Sequence, residues 1–255
     1  MATADTPPKP RRMRANIPAK PRGVPNKKKS EVYRQKITVC LALFLFSVLS
    51  AALLGFLVNA PIKPPYDALA LQLNPKEQCP AVAQDAAAKI DVRESLERDS
   101  WYFIPAYTVV FVALGLAMFS SQEPTWVYGL GIVLLIIFAA GSDFLENHYF
   151  ESCIDGNYIA AGLARRWSLR KWEFLAFATS AAAPLFLARK DWTQAIGYLL
   201  ATTAIPGLLL FIPLNLAYPV VCYVLVPLLL FNLGVLVITF VGDLMSPNSL
   251  KTHWK

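Results

Sequence analysis

Gly141-Ser142-Asp143-Phe144-Leu145-Glu146-Asn147-His148 closes an apolar run that begins at Trp126 and reaches Ala140. Nothing in the run marks an exit from the helix, so one helix is expected to carry both. At about 100° per residue, Asp143, Glu146 and Asn147 fall within an arc of roughly 100°. Two carboxylates and an amide therefore share one face where a membrane helix should still be finishing.

The rest of the chain agrees with a membrane reading. Of 255 residues 56% are hydrophobic and only 16% charged, and the apolar runs repeatedly reach the ~20 residues that a ~30 Å hydrocarbon layer requires. The formal charge of +7 is not a nucleic-acid signal. Eleven Lys or Arg lie in the first 36 residues, ahead of the first apolar run, where they act on topology and on anionic lipid headgroups. The expected fold class is an all-α integral membrane protein of about six transmembrane helices with a disordered N-terminal arm.

In chain order, residues 1–36 read as a disordered basic cytoplasmic arm, rich in Pro, Lys and Arg and poor in aliphatic side chains. A six-helix transmembrane domain follows over 37–242, with spans at about 37–60, 101–119, 126–147, 172–188, 195–214 and 219–241. An extracytoplasmic loop, 61–100, separates the first two spans; within it Pro80 to Asp99 suits a short helix with Pro80 near its first position. Trp101-Tyr102 opens the second span as an interfacial aromatic pair. Residues 149–170 read as irregular, with Asp155-Gly156-Asn157 as a turn. Residues 243–255 form a short cytoplasmic tail. The first apolar run is too long for a secretory signal core, so it is expected to be retained. Pro206, Pro213 and Pro227 predict kinks in the last two spans.

The basic arm puts the N-terminus in the cytoplasm, and six spans return the C-terminus there. That leaves Arg165, Arg166, Arg170 and Lys171 on the outer side, against the positive-inside tendency. Either a weak span is miscounted or acidic partners hold these cations; the reading prefers partners. Asp67, Glu77, Asp85, Asp91, Glu94, Glu97, Asp99 and Glu146 are the candidates. Cys79 and Cys153 would share that oxidising side, where they are either bridged or two free thiols. A plasma or inner membrane is favoured over an organelle.

Counted from Trp126, Asp143 lies about 25 Å along its helix, near the outer boundary. Ala139, Ala140, Gly141 and Ser142 permit close helix approach there. The candidate ligand-binding residues are Asp143, Glu146 and Asn147, with Lys171 as counter-ion in the empty state. No catalytic set, cofactor or metal is assigned: two histidines exclude a multi-histidine zinc hydrolase, and Ser142 and His148 fall on different faces. The expected function is a non-enzymatic membrane component that binds a small cationic or polar ligand, or a protein partner. The alternatives are a lipid-headgroup enzyme using the same carboxylates with His148, and a small-solute or ion transporter using Asn215 and Asn232 beside the prolines. A polar helix end that only clasps its neighbours explains the same residues without a ligand.

Overall fold

The computed structural model describes residues 68–119, 126–187, 194–210 and 220–245, with scattered positions between 45 and 66. The basic arm, most of the first span, Pro213, Asn215 and nearly all of the tail lie outside the described residues. Among those described, every regular element is helical. Three helices are long and apolar enough to cross a membrane: Ala86–Met118, Trp126–Ile154 and Tyr223–Gly242. This is a membrane protein.

Three helices precede the first of the described bundle helices: α1 (Ala68–Leu73), α2 (Pro75–Gln84) and α3 (Ala86–Arg98). Pro75, not Pro80, supplies the helix start; Pro80 sits inside α2. The break comes at Asp85, whose carboxylate accepts hydrogen bonds from the backbone N–H groups of Ala87 and Ala88, both at 3.0 Å. Asp85 therefore stops one helix and caps the next. The described part of the loop expected at 61–100 is thus a helical cap from Ala68 onward. Leu71, Cys79, Val82 and Val92 bury one side of it against Phe150, Ile154 and Ala160. Fully burying an aliphatic side chain is worth about 1.5–3 kcal/mol, so this core binds the cap firmly to the bundle.

Helix α3 does not end before the second span. It runs through a wide π turn, Asp99–Phe103, into α4 (Ile104–Phe119). The cause is Pro105, which has no N–H to donate back and whose ring crowds the preceding turn. The helix widens instead, and Ile104 N–H bonds to Asp99 O, five residues back. The same device recurs before Pro227, where a π turn at Val221–Leu225 leads into α10 (Val226–Met245).

Helix α5 (Trp126–Ile154) is longer than its apolar run, and α6 (Ala160–Ser180) starts well before the expected fourth span. Residues 149–170 are accordingly not irregular. Only a tight turn through Gly156, at φ 100°, separates the two helices. Ala160, Ala161 and Ala164 lie fully inside the cap core, which holds the first turns of α6 in helix despite Arg165 and Arg166. Short helices α7 (Ala183–Leu187), α8 (Gln194–Thr202) and α9 (Ala204–Leu209) lead towards α10. Ser180 Oγ and Thr203 Oγ1, 2.9 Å apart, tie α6 to the joint between α8 and α9. Ile104, Leu114, Ile132, Ile136, Phe186 and Phe240 centre the bundle core.

Candidate functional site

Along α5, Ala139 belongs to the bundle core and Phe150 to the cap core. Asp143, Glu146 and Asn147 fall between the two, 1%, 0% and 4% exposed. The polar face is therefore roofed by the cap rather than open at a membrane boundary. The heptad-like spacing of Ile132, Ile136, Ala139 and Phe150 points that face inward, and Phe144, Leu145 and His148 outward.

Lys171 enters this layer from α6. Its Nζ lies 2.7 Å from Asp143 Oδ1 and 2.7 Å from Glu146 Oε2. From α4, Tyr107 donates its hydroxyl to Asp143 Oδ2 at 2.9 Å. From the π turn, Asp99 Oδ2 accepts from Asn147 Nδ2 at 2.8 Å, and Ser100 Oγ accepts from the same nitrogen at 3.0 Å. The widened turn before Pro105 is what carries Asp99 and Ser100 into reach of α5. Four helical segments thus meet in one network.

Its charges do not balance. Asp99, Asp143 and Glu146 bring three carboxylates, and Lys171 one ammonium. Glu146 Oε2 touches the ammonium without a well-directed hydrogen bond, and Glu146 Oε1, fully buried, has no partner. An unmatched buried carboxylate is costly unless a proton or a cation compensates it.

A cavity of about 390 Å³ opens beside the network. Asp99, Asp143, Asn147 and Lys171 line it, as do Tyr107 and Trp172; Glu146 does not. Glu146 is a sealed counter-charge behind Lys171, not a group a ligand would meet. Tyr107 was not singled out in the sequence, and Asp99 stood there only as one of eight acids that could hold the cations of 165–171. Pro105, one and a half turns later, is the signal that marks the distortion.

The other expected partners sort differently. Arg170 Nη1 pairs with Glu173 Oε2 of its own helix at 2.6 Å. Asp155, in the turn after α5, takes Lys89 at 2.8 Å and Arg93 at 2.5 and 2.6 Å from the cap. Hydrogen bonds from Lys89 and then Arg93 hold its carboxyl below the usual range. Cys79 and Cys153 lie side by side in the cap core, both 0% exposed, with Cα atoms 6.0 Å apart, a separation that suits a bridge.

Gly141 is exposed and an added Cβ there meets nothing within 4 Å, so it is not where helices approach. That place is Gly115, whose Cβ would stand 2.8 Å from Gly129 O. His148 packs against Tyr149 and takes no part in the network, which leaves the headgroup-enzyme alternative without its base. Among the described residues no three His, Cys, Asp or Glu side chains converge to hold a metal ion.

The chain matches no protein-family model, no curated protein and no solved structure. What the site does has to be argued from its own chemistry.

Proposed function

We propose that this is a multi-pass membrane protein of about six spans, its termini cytoplasmic, that binds a small organic cation at the Asp99–Asp143–Asn147–Lys171 layer. The observation that carries the reading is that Asp99 and Asp143 line a cavity in a layer where three carboxylates face one ammonium. A bare metal ion fits poorly, because the carboxylates are spread around Lys171 rather than converging. An ammonium donor fits better: Asp99 is only partly buried and lines the cavity, and its one hydrogen bond from Asn147 leaves lone pairs free. Lys171 offsets one of the two charges on Asp143 and Glu146 when the site is empty, so one negative charge remains there beside that of Asp99.

The test is a thermal unfolding series on the purified full chain with ethylammonium as probe. Binding to the folded state alone adds about 2.7 kcal/mol at a hundred times Kd. The expected result is a concentration-dependent rise in Tm that D99N abolishes while still folding. No rise, or an equal rise in D99N, refutes the reading.

A further inference from the structure

We infer that the ligand is a cationic amphiphile, its ammonium at Asp99 and its chain running into the bundle between α4 and α10. The inference rests on the proposed cation site and adds the part of the cavity that this site does not use. Away from the carboxylates the walls towards the bundle are mainly apolar, with Thr179 the polar exception: Leu114 from α4, Leu175 from α6, and Leu229, Leu233 and Leu236 from α10. A small cation has no use for that extension. The shape bears on the ligand: the cavity encloses about 390 Å³. Asp99 and Leu114 both line it, fifteen residues apart, so it follows roughly 22 Å of helix at 1.5 Å per residue. A cavity elongated along a helix suits an extended alkyl chain.

Its direction is that of a lipid. Trp101 and Tyr102, 73% and 57% exposed, place an aromatic pair at the level of Asp99. Leu114 lies deeper along the same helix. The carboxylate layer of the cavity therefore sits at interface level, with Leu71, Val92 and Leu96 lining it on the cap side and Leu114, Leu229 and Leu233 within the hydrocarbon layer. Leu230, 64% exposed on α10, is the exposed residue of the lining, which puts the opening on the flank of the bundle. A ligand already dissolved in the bilayer enters there without crossing water. Charge complementarity selects an ammonium head over a carboxylate or phosphate, since Asp99, Asp143 and the sealed Glu146 outnumber Lys171.

The experiment uses the full chain in lipid nanodiscs and a tetradecylamine carrying a diazirine at the chain end. After photolysis, peptide mapping reads where the chain end lies. Labelling is expected at Leu114 or within 229–236. It should fall at least tenfold in L233W, which fills the bore, and at least tenfold when the amine is replaced by an alcohol of the same length. L233F is the milder filling variant should L233W fail to fold. Labels spread over outward positions such as Phe231 and Ile238 and indifferent to L233W or L233F overturn the inference. Equal labelling by the alcohol overturns its cationic part. If either result comes with the ethylammonium stabilisation intact, only the amphiphile is lost; if that stabilisation is also absent, the cation site falls with it.

Discussion

Lys171→Met retains most of the side-chain volume and removes the cation that Asp143 and Glu146 share. The three side chains are 5%, 2% and 0% exposed, and the ammonium is 2.7 Å from each carboxylate. Removing one partner of a buried ion pair costs about 3–5 kcal/mol, because the other charge is left stranded. At about 1.4 kcal/mol per tenfold, the folding equilibrium of K171M should fall by roughly two to three-and-a-half powers of ten. Denaturant titration of the purified protein, followed by tryptophan fluorescence, reads the change. Acidification should narrow the deficit, since protonation neutralises the stranded carboxylates. The decisive arm is the triple variant K171M/D143N/E146Q, which removes all three charges and should recover most of the loss. K171M within about 1 kcal/mol of the parent, or a triple variant no more stable than K171M, would refute the reasoning.

Other expectations follow from single contacts. Cys79 and Cys153 should resist alkylation until reduced; a bridge across 74 residues is worth about 4.5 kcal/mol in the chain-entropy model, and two freely alkylated thiols would exclude it. G115L should cost about 1–3 kcal/mol or prevent folding, because Gly129 O and Val133 stand in the way, while G141A should be neutral by the same unfolding assay. Asn232 is 0% exposed with neither amide atom partnered, so N232L should raise Tm by relieving about 1–3 kcal/mol of desolvation; a lower Tm would contradict this. The carboxyl of Asp155 is held below its ordinary 3.8, so its clasp on Lys89 and Arg93 should be complete above that pH and lost as pH falls through the lower folded value. D155N should speed hydrogen exchange in α2 and α3 at neutral pH, where the parent is protected.

The polar face of α5 was legible because a helical period leaves no other place for Asp143, Glu146 and Asn147, and Lys171 was legible as the nearest cation. Which of the four meets a cavity was not. Glu146 and Asn147 are neighbours in sequence, yet one is sealed and the other faces open space, a difference set by where α4 and α6 lie. The cap was misread for a related reason. Pro80 to Asp99 suits a short helix within an outer loop, whereas Leu71, Val82 and Val92 make sense only against Phe150 and Ile154, about sixty to eighty residues away. Likewise the first half of α6, through Lys171, has a charged sequence that lies outside the expected fourth span. It is held in the interior by alanines facing the cap core and by Lys171 facing carboxylates.

The distance between the cap and its partners also sets a timetable for biosynthesis. The greasy side of residues 68–98 finds nothing to rest on until Phe150 to Ala164 have been made. At about 5–20 residues per second, the 74 residues from Cys79 to Cys153 take roughly 4–15 s to synthesise. For that interval the nascent segment needs a chaperone or the membrane surface to cover it. Slowing translation between Trp126 and Cys153 should therefore lower the yield of folded chain.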